Sequence, residues 1–377
     1  MSSTSFGDFY AIIPAGGTGT RLWPLSRAAR PKFLYDLLGS GRTMIQSTFD
    51  RLAVIAGAEH VTVSTGAQHE AAVREQLPEL GTRSLFAEPV PRDSTAAIAL
   101  ATAVLARRHG PDIVVGSFAA DHVIRDSAAF AESVRQAVAA ARAGYVTTIG
   151  IAATRPSTAF GYIRQGASLA AEVPDAPDAR LVRRFVEKPD AATALAYLST
   201  GEYRWNAGML VMRAGVLLER LRTYKPDMAA AIGRIADAWD AGPDERLIAM
   251  DRYWPSLEKI AFDYAIAEPL SLDGGVAMVP GGFGWDDVGD FNSVAALLPS
   301  ANERNLKILG DADRVACVDS AGDVVVPESG RTVALLGVDD MVVVDTPDAL
   351  LIAPRARSQE VKAMVAHLRA IGRTSVL

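Results

Sequence analysis

An apolar run, Tyr10-Ala-Ile-Ile-Pro14, empties directly into Ala15-Gly16-Gly17-Thr18-Gly19-Thr20, a loop with three glycines in four positions. This order predicts a buried strand that ends in a tight, ligand-accessible turn. Glycines tolerate positive φ and let backbone N–H groups come close to anionic oxygens. Spacing excludes two familiar loops. A dinucleotide fingerprint needs a third glycine three residues after the second, where Leu22 stands. A P-loop needs Gly-Lys-Ser/Thr, which nothing here supplies.

Up to Ile151 the chain alternates short apolar runs with helical patterns. Strands are predicted at Tyr10–Pro14, His60–Ser64, Ser84–Ala87, Asp112–Ser117 and Val146–Ile151. Helices are predicted at Met44–Val54 behind a Thr43 cap, and at Ala67–Gln76, Thr95–Arg108 and Ser127–Arg142. This β-α-β-α order implies the α/β class, with a Rossmann-like, mostly parallel sheet flanked by helices. Ligands of such sheets sit beyond the carboxyl ends of the strands. The glycine-rich turn and Asp121 both fall at that edge.

From 155 to 290 the pattern is less regular. A turn at Phe160-Gly161 enters a strand, and Leu181–Glu187 reads as a strand broken at Lys188-Pro189. A polar turn at Asn206 leads into a strand reaching Arg213, with helices at Val216–Leu221 and Met228–Ala238. The Ala-, Pro- and Asp-bearing stretch 166–180 is expected to be an exposed loop. After about 305, short runs at Val315–Val318, Val324–Val326, Val333–Leu336 and Met341–Val344 alternate with Asp/Gly turns. They predict a small β-rich C-terminal domain, a stack of short strands, closed by a helix at Ser358–Ile371. The expected division is 1–300, catalytic, and 301–377, β-rich.

Hydrophobic residues at 49% and charged residues at 22% are ordinary for a globular protein. A net charge of −6 argues against a nucleic-acid partner. No run of ~18 apolar residues and no secretory pattern occurs, so no membrane partner and a cytoplasmic location are expected. Cys317, the single cysteine, excludes an intrachain disulfide and a cysteine-built zinc site.

Arg21 follows the loop directly, and Lys32 stands in Arg30-Pro31-Lys32-Phe33. A guanidinium fork and an ammonium point charge together suit a triphosphate and the charge it develops in reaction. Asp121 lies just after a predicted strand, and Asp287 in Gly284-Trp285-Asp286-Asp287-Val288-Gly289. Mg²⁺ takes one or two carboxylates together with waters and substrate phosphates. Each aspartate by itself reads equally as a cap or turn former, and Asp286 competes with Asp287.

The string Gly16-Gly17-Thr18-Gly19-Thr20-Arg21-Leu22-Trp23-Pro24-Leu25, followed by Pro31-Lys32, resembles the signature of the sugar nucleotidyltransferases. Leu22-Trp23-Pro24-Leu25-Ser26-Arg27 is similar to the version typical of bacterial mannose-1-phosphate guanylyltransferases, the GDP-mannose pyrophosphorylases. The resemblance implies the nucleotidyltransferase fold. It implies that Ala15, Gly16, Gly17, Thr18, Gly19 and Thr20 hold a nucleotide whose phosphates meet Arg21 and Lys32. Ala120-Asp121-His122 and Trp285-x-Asp287-Val288-Gly289 resemble the strings whose aspartates hold the catalytic metal. Asp121 and Asp287 are thereby implied as Mg²⁺ ligands, Asp121 also on the nucleotide and Asp287 on the sugar side. Ala119 departs from a proline common in the family.

Three further strings resemble the sugar side of that family. They are Phe160-Gly161-Tyr162-Ile163, Phe185-Val186-Glu187-Lys188-Pro189 and Trp205-Asn206-Ala207-Gly208. Gly161 is implied as the sugar-side turn, Glu187 and Asn206 as hydroxyl partners, and Lys188 as the cation on the sugar phosphate. Glu88-Pro89-x-x-Arg92-Asp93-Ser94 resembles the nucleobase-side element, implying Glu88, Arg92 and Ser94 as nucleotide contacts. Here Asp93, Ser94 and Ala96 replace the usual Asn, Thr and Pro. The stretches Val338–Asp348 and Arg357–Lys362 also resemble the guanylyltransferase C-terminal region.

The implied activity is transfer of GMP from GTP to α-D-mannose 1-phosphate, with Mg²⁺ as cofactor and a homodimer as the expected assembly. A related enzyme for another sugar 1-phosphate, such as a GDP-heptose synthase, is the nearest rival. A catalytically silent regulatory paralogue that binds nucleotide sugar is the rival from a different class. The joint presence of Arg21, Lys32, Asp121 and Asp287 argues against it. The role of Asp263, in Phe262-Asp263-Tyr264, is left open.

Overall fold

Strands buried on both faces read as unbroken apolar runs, and such runs form the middle of this protein. The computed structural model describes residues 6–17 and 19–377. Thr18, one of the expected nucleotide-binding residues, lies outside the described residues. Among the described residues one large sheet has nine strands. They are β1 (Phe9–Ala15), β2 (Val61–Gly66), β3 (Leu85–Glu88), β4 (Val114–Ser117), β5 (Val146–Ala152), β6 (Tyr162–Ser168), β7 (Arg180–Val186), β8 (Tyr203–Arg213) and β9 (Val276–Gly281). Their order is β3-β2-β1-β4-β8-β5-β9-β7-β6. β1 pairs in parallel with β2 and β4, β2 with β3, and β5 with β9. β8 runs antiparallel to β4, β5 and β6. The four N-terminal strands are therefore parallel, as their helical crossovers require, and later strands make the sheet mixed. Because β1 and β4 are parallel neighbours, the chain leaves both at the same sheet edge.

Helices Asp93–His109, Ala214–Tyr224, Pro226–Ala238 and Pro243–Tyr253 pack together. With Ile12, Val115, Met212 and Met278 of the sheet they make one extended apolar core. Helix Ser127–Arg142 is capped by Asp126, whose side chain accepts from the N–H groups of Ala128 and Ala129.

The stretch 166–180 is not an exposed loop. Leu169, Val173, Ala176 and Ala179 are 3%, 6%, 0% and 0% exposed. Leu169 N–H donates to Ala179 C=O at 2.8 Å, and Gln136 Nε2 donates to Asp178 Oδ2 at 2.9 Å. These bonds close the segment and tie it to helix Ser127–Arg142. Asn206 is likewise inside β8 rather than in a turn before it.

By packing, the chain forms two compact units. Unit 1 holds the residues up to Gly16, Thr48–Ala120 and Ile124–Trp285, and unit 2 holds Gly17–Ser47, Asp121–Val123 and Asp286–Leu377. In unit 2, β10 (Lys307–Ile308), β12 (Val324–Pro327), β14 (Met341–Asp345) and β15 (Leu350–Pro354) form one sheet, while β11 (Val315–Val318) pairs with β13 (Val333–Leu336). β10, β12 and β14 are parallel, and so are β11 and β13. Successive turns of chain thus stack as a short β-helix. Its Val324, Val326, Val342 and Val344 pack in one core with Leu22, Trp23 and Leu25, and with Val361 and Val365 of helix Val361–Ala370. The apolar half of the signature string is therefore core, which explains why bulky residues follow the glycines.

Candidate active site

Unit 2 gathers four of the charged residues singled out from sequence. Gly17 and Gly19 have φ of 82° and 62°, the left-handed region that glycine adopts without strain. A β-carbon on Gly19 would lie 2.7 Å from Lys32 Cβ, so the glycine lets the Lys32 stem pass. Pro31 leads into a short turn, Lys32–Leu34, in which Phe33 and Leu34 are buried. That anchoring leaves Lys32 6% exposed. Its Nζ lies 2.9 Å from Asp121 Oδ2 and 3.9 Å from Asp287 Oδ1, and it donates to the Asp287 backbone carbonyl. His122 Nε2 stands 3.8 Å from Asp287 Oδ1. Arg21 lies over Gly289, where a β-carbon would come within 3.4 Å of its Nη1.

The electrostatics of this cluster are those of two carboxylates competing for one cation. Burial pushes the Asp121 carboxyl up, but Lys32 and then His122 outweigh it, and its pKa falls below the usual value. For Asp287, burial together with the negative charge of Asp121 outweighs Lys32, and the pKa rises. A divalent cation would relieve the excess negative potential. Ligand atoms of Asp121, His122 and Asp287 lie within 4.8 Å of one another, so these side chains could hold a metal. The two carboxylates suit a hard ion such as Mg²⁺, whereas imidazole suits zinc and its neighbours.

Within unit 1 the sugar-side strings converge. Ala120, next to Asp121, is fixed there by its N–H on Pro14 C=O at 3.2 Å. Phe160 stacks edge-on with Trp205 and Trp285 at 5.1 and 5.2 Å between ring centres. Gly161 C=O accepts from Asn206 N–H at 2.8 Å, and a β-carbon on Gly161 would collide with Glu187 Oε2. Glu187 pairs with Lys188 Nζ at 2.7 Å, and Lys188 itself holds a positive φ of 46°. The Asn206 amide is oriented on both ends. Oδ1 accepts from Thr148 Oγ1 at 2.7 Å and Gly208 N–H at 3.1 Å, while Nδ2 donates to Asp263 Oδ1 at 2.7 Å. Asp263 opens a π-helical turn, Asp263–Ala267. Burial, and then the Glu187 charge, push its carboxyl up to about 7.

The base-side string is split in its behaviour. Glu88 is 8% exposed and accepts from Ser64 Oγ at 2.9 Å. Arg92 Nη2 instead donates to Pro255 C=O, and Ser94 Oγ accepts from Phe262 N–H at 2.9 Å. Both therefore tie the start of helix Asp93–His109 to the segment 255–262. Ala15 C=O is held by Thr65 Oγ1 at 2.8 Å. Sequence reasoning gave no role to His122, Thr148 or Gly289. The first and last sit beside assigned aspartates, while Thr148 carries no signal beyond its place in an apolar strand.

Residues 10–303 match the family model described as nucleotidyl transferase, and residues 313–368 the one described as MannoseP isomerase/GMP-like beta-helix domain. The chain is 38% identical to xanthan biosynthesis protein XanB of Xanthomonas campestris pv. campestris (strain B100), over 97% of this chain and 74% of that one. It is 40% identical to mannose-1-phosphate guanylyltransferase of Escherichia coli (strain K12), again over 97% and 74%. A crystal structure of a Thermus thermophilus protein described as mannose-1-phosphate geranyltransferase matches with a TM-score of 0.81 at 32% identity, over 96% of this chain and 99% of that one. The chain belongs to the nucleotidyl transferase family and, within it, stands with the mannose-1-phosphate guanylyltransferases.

Proposed function

We propose that this chain transfers GMP from GTP to α-D-mannose 1-phosphate, releasing pyrophosphate and forming GDP-mannose. The observation that carries the reading is Lys32 Nζ set 2.9 and 3.9 Å from two carboxylates, Asp121 and Asp287, in a family of nucleotidyl transferases. A non-bridging oxygen of the sugar phosphate attacks the α-phosphorus of GTP. The bond from that phosphorus to the bridging oxygen breaks, and its electron pair leaves on pyrophosphate. The attacking oxygen is already anionic, so no Ser, His or Cys activation is needed, and positioning and charge stabilisation do the work. Mg²⁺ held by Asp121 and Asp287 would supply the positive charge that offsets repulsion between the two phosphates. Arg21 and Lys32 neutralise the pyrophosphate side, and the backbone N–H groups of the glycine loop face the nucleotide. Glu187 and Asn206 take the sugar hydroxyls, with Lys188 on the sugar phosphate. Glu88 reads the base, because a carboxylate accepts the adjacent ring N–H and amino donors that guanine has and adenine lacks.

All these contacts fall in the proposed catalytic stretch 1–300, with 301–377 supporting them. Exposed apolar side chains on the β-helix, Leu336 at 75% and Ile352 at 61%, favour a homodimer, which light scattering would reveal. No helix among the described residues is long and apolar enough to cross a membrane, in keeping with a cytoplasmic enzyme.

The test is pyrophosphate release with Mg²⁺, mannose 1-phosphate and each NTP in turn. Release with GTP alone, abolished by EDTA, is the expected result. Asp121→Asn and Arg21→Ala should each lower kcat about 10²–10³-fold. Near-normal turnover in either variant, or release only with another NTP, would overturn the corresponding assignment.

A further inference from the structure

Arg21 lies in the loop after β1, yet its side chain is held by a residue 338 positions away. Arg21 Nη1 donates to Gln359 Oε1 at 2.8 Å, within unit 2. Among the described residues, Gln359 is the side chain that accepts a hydrogen bond from Arg21. The amide has a defined sense, because Gln359 Nε2 donates to Asp290 Oδ2. A carboxylate takes only the donor end of an amide, so the acceptor end is left to face the guanidinium. Asp290 is itself fixed. It is 3% exposed, and its other oxygen caps helix Phe291–Leu297 through Ser293 N–H at 2.9 Å. The turn that carries Gln359, Arg355–Glu360, is pinned to the same helix by Arg355 Nη2 on Asn292 Oδ1 at 3.0 Å. Beneath the guanidinium, Gly289 offers no β-carbon to push it away.

We infer that Gln359 is a positioning residue for the reaction: the relay Asp290–Gln359–Arg21 sets the direction of the Arg21 guanidinium. The inference rests on the proposed role of Arg21 at the phosphates. An arginine has long, freely rotating torsions, and a fork aimed in advance stabilises developing charge without reorganisation in the reaction. The β-helix end of the chain thus contributes to catalysis through one hydrogen bond, without touching substrate.

The experiment is a double-mutant cycle on purified full-length protein with GTP, mannose 1-phosphate and Mg²⁺. Gln359 is exposed, so Gln359→Met opens no cavity while removing both hydrogen bonds. It is expected to lower kcat about ten- to a hundredfold, as misplacement of a catalytic group by ~1 Å does, with KM for the sugar phosphate nearly unchanged. In the Arg21→Ala background the same substitution should have no further effect. Gln359→Glu alone would set a carboxylate against Asp290, but paired with Asp290→Asn, whose amide can donate to it and still cap the helix, it keeps an acceptor for Arg21 and should recover most of the rate. Arg21→Ala with normal turnover would overturn the role of Arg21 itself. A slow Arg21→Ala enzyme would leave that role standing. This inference alone would then fail if Gln359→Met ran at the wild-type rate, if its loss were equal with and without Arg21, or if the pair Gln359→Glu with Asp290→Asn were as slow as Gln359→Met.

Discussion

Glu88 is pulled two ways. Burial pushes its carboxyl up to about 7 from an ordinary 4.5, against the hydrogen bond from Ser64, so ionising it in the folded protein is unfavourable. As the proposed reader of guanine it must nevertheless ionise to accept two donors. Between 4.5 and about 7 the folded chain binds more protons at Glu88 than the unfolded chain. Stability therefore falls as pH rises through that window, and the penalty is full above it. Glu88→Gln removes the penalty and still accepts from Ser64 Oγ. At pH 8 the variant should be more stable than wild type by at most about 3 kcal/mol, a gain that shrinks toward nothing near pH ~4.5. Its preference for GTP over ATP should fall at least about tenfold, since the amide offers one acceptor where guanine presents two donors. Urea unfolding at the two pH values and paired kcat/KM measurements check both halves. A variant that keeps its base preference would remove Glu88 from the base site.

At the scale of elements, the glycine loop couples backbone shape to a charged side chain. Gly19→Ala would force a β-carbon into the left-handed region, a cost of about 1–2 kcal/mol, and would press on Lys32 Cβ, 2.7 Å away. The expected result is a modest loss of stability and a larger loss of kcat, because Lys32 moves with its neighbour. A kcat that fell no further than in Gly39→Ala would contradict it, since Gly39 has a similar φ of 66° and a β-carbon there meets nothing within 4 Å. Elements of this kind were legible in the sequence because a chemical necessity marks them. Buried parallel strands such as β1 and β4 read as apolar runs, and the loop reads as glycines in a fixed spacing. Helix Ser127–Arg142 carries its own cap in Asp126. Segment 166–180 was not legible. Its buried Leu169, Val173, Ala176 and Ala179 are spaced as on a helix face, but Pro174 and Pro177 break any helix there and the segment folds as turns instead. Asn206 looked like a turn former, but Thr148 and Asp263 satisfy its amide inside β8. Gln359 lies in the string Arg357–Lys362 that resembles the guanylyltransferase C-terminal region, but no composition or period in that string points to Arg21.

At the scale of the molecule, the apolar pattern of a strand tells which face is buried but not what covers it. The short runs after residue 305 were readable as stacked strands. Their partnership with Leu22, Trp23 and Leu25 was not, because it joins stretches some three hundred residues apart. Unit 2 is built from three separated pieces of chain, and its core needs the first and the last of them together. The core centred on Ile12, Val115 and Met278, by contrast, is complete before residue 280. A chain ending at Ser300 should therefore keep the structure of unit 1 and lose that of unit 2. Burial of Val324, Val326, Val342 and Val344 would be lost outright, at about 1.5–3 kcal/mol for each side chain, a total comparable with a domain's usual margin. Leu22, Trp23 and Leu25 would be left in water, and Lys32, Asp121 and Asp287 would lose the packed frame that holds them. Far-ultraviolet circular dichroism of the 1–300 fragment should show most of the helix content retained, with dye-binding apolar surface exposed and pyrophosphate release abolished. A fragment that turned over at the full-length rate would mean that the glycine loop shapes itself, and that the β-helix is carried for assembly rather than for the chemistry.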